Sequence, residues 1–293
     1  MPHPSERIES VRVDCEQGRW EMALRGPVAP LRPFVRRYCL YQEERLLAST
    51  HQHLPHRDVT LIISLGGVLE VRDPSGALQG FDAGQGFLAG IHTQRALTDS
   101  GPRQRGVEVS LTPLGAHRLL GGLPMHAVSN RSVALEDLLG AAAGRLAARL
   151  DEARSEAESF AVLDGFFSER ILGSARPRPC QAMAYAWYSL AASRGTLRIG
   201  ALAAELGWSR KRLGLAFRSS VGHTPKTTAR VLRFDHAMER LKAQPPLRWS
   251  ELALACGYHD QAHLSHEVRE LSGSTLGELA RRLVPGAGAL TAG

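Results

Sequence analysis

The sequence predicts an α+β protein in two parts: a small β-barrel or sandwich with appended helices, then an all-α region of two helix-turn-helix subdomains joined by a long helix. Three observations carry this. Short β-rich runs separated by Gly, Pro and Asp fill residues 25–111. Helical periodicity takes over beyond Pro113. A pattern of small apolar helix, glycine, aromatic, capping residue and polar-faced helix then occurs twice, with its glycines at 207 and 257. A chain of 293 residues suits two domains, each able to bury a core.

In order along the chain, residues 1–24 read as an N-terminal tail, polar over its first 20 residues. Val59-Thr60-Leu61-Ile62-Ile63-Ser64-Leu65 reads as a buried strand, Gly66-Gly67 as a turn, and Val68-Leu69-Glu70-Val71 as a hairpin partner. Phe81, Phe87-Leu88-Ala89 and the run from Gly106 to Leu111 continue the series. Beyond Pro113, Ala116-His117-Arg118-Leu119-Leu120 reads as a short helix ended by Gly121-Gly122. Residues 133–150 and 156–172 then read as amphipathic helices that either pack on the barrel or make a dimer contact. Residues 25–172 are thus expected to form a sensory or dimerisation domain. Two prolines make 173–180 a linker. An all-helical domain spans 181–283, and 284–293 form a second tail.

Charge separates the two halves. Of 36 Lys and Arg, 15 lie beyond Tyr185, against 8 of 29 Asp and Glu, so that region carries the whole formal excess of +7. A basic region can be merely a solvated face, but here it coincides with the two turn motifs, as phosphate neutralisation requires. Cys15, Cys39, Cys180 and Cys256 are widely spread with no C-x-x-C, which argues against a zinc ribbon or a disulfide scaffold. No signal-like segment stands at the start, and no apolar run reaches the roughly 18 residues of a membrane span, so a cytoplasmic protein with no membrane partner is expected.

In the first motif Ile199, Leu202, Ala203 and Leu206 form the buried stripe, Gly207 turns the chain, Trp208 covers the small core and Ser209 caps the next helix. Leu213, Ala216 and Phe217 face inward, leaving Arg210, Lys211, Gly214, Leu215 and Arg218 outward. Thr224-Pro225 opens a long helix, with Leu232, Phe234, Ala237, Met238 and Leu241 at helical spacing. In the second motif Ser250 is expected as the N-cap, with Trp249 and Leu254 closing a hydrophobic staple. Leu252, Ala255 and Cys256 face the core, Gly257 turns, and Asp260 caps the second reading helix. Leu264, Val268 and Leu271 point inward; Gln261, Ala262, Ser265, His266 and Arg269 point outward. Gln suits adenine, Arg suits guanine or phosphate, and Ala can touch a thymine methyl.

Leu202-Ala-Ala-Glu-Leu-Gly-Trp-Ser209, Leu213-x-x-x-Phe217-Arg218, Gly222-x-Thr-Pro225, Arg230-x-x-Arg233-Phe234-x-x-Ala237 and Ala253-x-x-x-Gly257-Tyr258-x-Asp260-Gln261-x-x-Leu264 fall in one order and spacing. Across residues 183–282 they resemble the DNA-binding domain of the AraC/XylS family of bacterial transcriptional regulators. The resemblance implies reading helices in neighbouring major-groove segments of double-stranded DNA, a homodimer, RNA polymerase as partner, and activation as the habit of the family. It departs at Gly214 and Leu215, where family members usually carry polar residues, at Val268 in place of a core phenylalanine, and at Gly273-Ser274-Thr275-Leu276, which lacks a proline. Base readout is therefore expected from Lys211, Gln261, Ala262 and His266. Phosphate or mixed contacts are expected from Ser209, Arg210, Arg212, Arg218 and Arg269.

The stretches Arg105 to Leu114, Leu120 to Met125 and Val133 to Gly140 are similar to a less-studied N-terminal class within the same family. That similarity implies a cupin-like β-barrel with appended helices and a small-molecule effector. His51-x-His53-x-x-His56 and His92 are the residues a metal reading would use, but His56 falls on the opposite strand face and no glutamate follows at the cupin distance. No metal, cofactor or catalytic residue is expected, and the protein reads as a non-enzyme. The rival readings are a cupin-type metal enzyme or a DNA-repair protein carrying the same DNA-binding module. The second rival would need a reactive cysteine, and no ligand cluster surrounds Cys15 or Cys39 in the sequence.

Overall fold

The computed structural model describes residues 7–15, 18–173, 180–243, 248–282 and 290–291. The linker proper, 174–179, and most of the tail expected at 284–293 lie outside the described residues. Part of the stretch read as an N-terminal tail is ordered sheet: β1 (Glu9–Cys15) and β2 (Gly18–Arg25) pair in register from Glu9 opposite Leu24 to Cys15 opposite Gly18. β1 escapes an apolar-pattern reading because it is an edge strand with mostly exposed side chains, held by its ladder rather than by a core.

The remaining strands are β3 (Val35–Arg45), β4 (Ser49–His53), β5 (Val59–Gly66), β6 (Leu69–Arg72), β7 (Leu78–Phe81), β8 (Gly86–Ala89), β9 (Ala96–Ser100), β10 (Arg103–Leu111), β11 (Ser132–Ala134) and β12 (Leu290–Thr291). Among the described residues they form two antiparallel sheets, ordered β1-β2-β3-β10-β5-β8-β11 and β12-β4-β9-β6-β7, with no single closed ladder. The continuous apolar run of β5 is explained by burial on both faces. Leu61 and Ile63 join the main core, while Ile62 packs with Leu69, Val71, Phe81 and Phe87 in a smaller core.

The outer face of the larger sheet is covered by α1 (Pro113–Leu119), α2 (Leu135–Leu139), α3 (Ala141–Glu152) and α4 (Glu156–Phe167). The segment expected as one helix over 133–150 instead begins in β11 and breaks at Gly140, φ 59°, into α2 and α3. Both amphipathic segments pack within the monomer, where Tyr38 stacks on Phe160 and Phe167 with ring centroids 6.2 and 6.0 Å away. Buried Asp164 pins this layer, accepting from Arg25, from the Tyr38 hydroxyl at 3.1 Å and from the Val28 amide at 3.2 Å. A buried carboxylate is tolerable when its oxygens are met in this way.

The C-terminal helices are α5 (Gln181–Ala192), α6 (Ile199–Glu205), α7 (Arg210–Ser220), α8 (Pro225–Ala243), α9 (Trp249–Ala255), α10 (Gln261–Ser272) and α11 (Leu276–Arg282). Leu202, Ala203, Leu213 and Phe217 belong to the same core as the sheet residues Val107 and Val109. Phe234, Met238, Leu252, Leu264, Val268 and Leu279 form a separate core. The β-domain also reaches the second motif directly: Gln52, 3% exposed, donates to the Ser272 carbonyl at 2.8 Å, and Leu54 packs on the second core.

This division predicts different unfolding units. Phe217→Ala removes a fully buried ring and should cost about 3–5 kcal/mol. It should raise amide exchange in β10 and α7 together. Leu264→Ala should cost about 2–5 kcal/mol and raise exchange in the second half of α8 and in α9–α11, leaving β10 and α7 unchanged. Identical exchange patterns for the two variants would contradict the two-core description.

Candidate nucleic-acid interface

Each motif is built on a left-handed glycine. Gly207 has φ 63° and Gly257 φ 77°, a conformation that costs an L-residue about 1–2 kcal/mol. After the first turn the Trp208 amide returns to the Ala203 carbonyl at 2.9 Å, and the Ser209 hydroxyl accepts from the Arg212 amide at 3.1 Å, capping α7 as expected. After the second, Asp260 accepts from the His263 amide at 2.7 Å, and its carboxylate also meets the His259 ring at 3.1 Å. The backbone bond from His263, then that from the His259 ring, holds this carboxyl below its ordinary value.

Counting from the two caps aligns the helices. Leu213 and Leu264 stand four residues in, Phe217 and Val268 eight, and all four are fully buried. The same count pairs Lys211 with Ala262, Gly214 with Ser265, Leu215 with His266 and Arg218 with Arg269 on the opposite face. Lys211, Leu215, Arg218, Gln261, Ala262, His266 and Arg269 are all exposed. His266 approaches Glu270 at 3.6 Å. Arg212 turns sideways, its guanidinium 4.4 Å from the Trp208 ring centroid. Arg210 lies back against α6, where a methyl on Gly200 would come within 2.9 Å of its guanidinium. Gly214 has helical φ and open space where a side chain would begin. A glycine there costs the helix about 1 kcal/mol relative to alanine.

The second motif differs from the sequence reading at its start. α9 begins at Trp249, Arg248 occupies the cap position without a side-chain bond, and Leu254 is 67% exposed, so neither the Ser250 cap nor the staple forms. Trp249, Leu252, Ala253 and Cys256 share one face of the helix, which places Leu254 and Ala255 away from the core.

Two arginines of α8 whose role the sequence pattern does not reveal, Arg230 and Arg233, fix the motifs relative to each other. Arg230 donates to Glu267 at 2.8 Å and pairs with Glu270, tying α8 to α10. Arg233 donates to the Gly195 carbonyl at 2.9 Å, ahead of α6, while its guanidinium stands 5.7 Å from the Tyr258 ring. Glu267 could have been noticed as an acid set between two core positions, Leu264 and Val268.

The histidines that a metal reading would use are engaged in hydrogen bonds. His51 and His53 do share a face of β4: His51 meets the Ser49 hydroxyl at 2.9 Å, and His53 the Thr98 hydroxyl at 2.8 Å. His92 stands 3.5 Å from the Arg131 carbonyl. No three His, Cys, Asp or Glu side chains converge on a metal-sized site among the described residues. Burial, reinforced by neighbouring histidines, pushes His53 down to about 3, and burial pushes His92 down to about 4.

Residues 202–282 match the family model of a helix-turn-helix domain. Among solved structures, ToxT from Vibrio cholerae superposes with a TM-score of 0.53 at 14% identity, covering 84% of this chain and 98% of that one. ToxT from Vibrio cholerae O395, bound to (E)-4-(8-methylnaphthalen-1-yl)but-3-enoic acid, gives 0.51 at 14% identity over 84% and 98%. The AraC-like transcriptional activator CuxR gives 0.34 at 15% identity over 76% and 84%. Comparison with curated protein sequences returned no match. The ToxT likeness is one of fold: antiparallel sheets followed by paired helix-turn-helix units. Two capped reading helices on a common strut define a DNA-binding protein. Residues 202–282 form a helix-turn-helix domain, the DNA-binding part of the chain.

Two outcomes follow. Gly257→Ala should destabilise more than Gly207→Ala, because a methyl at 257 would lie 2.5 Å from Thr196 Cγ2 whereas 207 opens on empty space. In a Thr196→Ser background, which deletes that methyl, urea melts should give equal losses of about 1–2 kcal/mol, the strain of the left-handed backbone. Independently, His53 and His92 are neutral in the fold and protonate near 6.5 when unfolded, so stability is lost as pH falls below that value. The denaturant midpoint should drop between pH 7.5 and 5, by up to about 2 kcal/mol per histidine, and drop less in His53→Gln.

Proposed function

We propose that this chain is an AraC-type transcriptional regulator that reads its operator mainly through α10, with Gln261, Ala262 and His266 on base edges and Lys211 of α7 adding a further base contact. Ser209, Arg210, Arg212, Arg218 and Arg269 hold the phosphate backbone and fix the register. The observation that carries this reading is the common outward face of the two capped helices: equivalent positions are exposed in both, and each carries an arginine nine residues after its cap. The lateral packing of Arg210 and Arg212 favours phosphate contact for both, since phosphates flank a helix seated in the groove.

The β-domain is proposed to take a small-molecule effector and to pair subunits. One ToxT structure holds a butenoic acid carrying a naphthalene, and another is described as bound to unsaturated fatty acid. Polar groups of the two sheets also face one another: His51 of the smaller sheet stands 4.0 Å from Glu43 of the larger. Dimerisation, activation through RNA polymerase, a cytoplasmic location and the absence of catalysis complete the proposal. No helix among the described residues is long and apolar enough to cross a membrane.

Selection from a random DNA pool supplies the operator for the test. Gln261→Ala should then weaken binding to that operator by about 1–3 kcal/mol, the worth of one bidentate base contact, and leave random DNA nearly unaffected. Arg218→Ala should weaken both alike and reduce the slope of log K against log salt by about 0.9. Equal losses on both DNAs for Gln261→Ala, or an unchanged salt slope for Arg218→Ala, would remove the role assigned to that residue.

A further inference from the structure

Leu215 stands at the centre of the outward face of α7, 62% exposed, at the position that His266 occupies in α10. A single exposed leucine is ordinary on a protein surface. Here the surroundings are not ordinary. Lys211 lies one turn before it and Arg218 one turn after, both exposed on the same face, so the leucine sits in a cationic frame suited to a polyanion. Gly214 is its neighbour. Neither backbone conformation nor internal packing calls for glycine there, because φ is helical and a side chain would meet nothing within 4 Å. The matching residue of α10, Ser265, is also small. Both helices therefore present a shallow notch beside the central side chain of the reading face.

We propose that α7 reads DNA through an apolar contact: Gly214 lets the helix approach the major-groove floor, and Leu215 packs on the C5-methyl of a thymine. The inference rests on the DNA-reading role proposed above. In the major groove only thymine among the four bases offers a methyl, and apolar side chains recognise it by excluding water from it. Lys211 and Arg218 supply the attraction that brings the leucine there, Arg218 from the phosphate backbone and Lys211 from the groove beside it.

The test replaces each thymine of the selected operator, one at a time, by deoxyuridine, which removes only the methyl. Wild-type full-length protein should lose about fourfold in affinity at one thymine, the worth of one buried methyl group. Leu215→Ala should bind the thymine operator more weakly and show no further loss on the deoxyuridine version. Gly214→Ala should melt at a higher temperature yet bind the operator at least several-fold more weakly. Wild-type protein that distinguishes the operator from random DNA but is indifferent to every deoxyuridine overturns this inference alone. Failure to distinguish operator from random DNA overturns the DNA-reading proposal with it. A Leu215→Ala variant that stays sensitive to deoxyuridine, or that changes oligomeric state with unchanged DNA affinity, takes the leucine off the thymine. Unchanged affinity in a stabilised Gly214→Ala removes the close approach.

Discussion

Among the described residues helix α8 is the one element buried in both cores, and the placement of the two reading helices depends on it. Its first half contributes Ala229, Val231 and Leu232 to the core shared with the β-domain, and its second half contributes Phe234, Ala237, Met238 and Leu241 to the core of the second motif. Nineteen helical residues span about 28 Å, on the scale of one turn of B-DNA. A helix packed at both ends cannot rotate one motif against the other without opening a core. The half-buried side chain of Arg230 on Glu267, and Arg233 on the Gly195 carbonyl, then set the orientation that hydrophobic contact alone leaves loose. Their value lies in direction more than in energy, since exposed or half-exposed ion pairs contribute little.

The β-domain touches this assembly at comparable points of both motifs. His223, just beyond α7, meets the Ile91 carbonyl at 2.8 Å, and the Ser272 carbonyl at the end of α10 receives Gln52. Ile91 and Arg95 lie in one loop, and Arg95 also approaches the Ser272 carbonyl at 3.5 Å. Contacts thus gather at the C-terminal ends of the reading helices, leaving their capped N-termini clear. A neutral hydrogen bond is worth about 1 kcal/mol, so a few of them correspond to one or two orders of magnitude in a positional equilibrium. That range is small beside the shared core that anchors the first motif.

Much of the DNA-binding domain was legible because its determinants are local. Ser209 and Asp260 cap the helices that follow them, and Gly207 and Gly257 take the backbone angles their turns require. What escaped was either non-local or carried by polar groups. The β1–β2 hairpin has an exposed outer strand, so no alternating pattern announced it. The start of α9 was misplaced because Ser250 is an attractive cap in isolation, while the packing of Trp249 on the second core decides the outcome. Gln52, Asp164 and Glu267 read as surface residues in a sequence, yet each is buried against a partner more than 30 residues away.

The two reading helices share a framework and differ in chemistry for a reason internal to the fold. Core positions four and eight residues after each cap are constrained by packing, and they are apolar in both. Positions two, five, six and nine residues after the cap lie outside the core: Gly214 opens on empty space, and His266 meets the Glu270 carboxylate of its own helix, 3.6 Å away. Core packing therefore leaves room for a glycine and a leucine at 214 and 215 against a serine and a histidine at 265 and 266. Helix α7 presents charge around an apolar centre, and α10 presents hydrogen-bonding groups. An operator that suits both would offer a methyl-bearing groove surface to the first helix and polar base edges to the second.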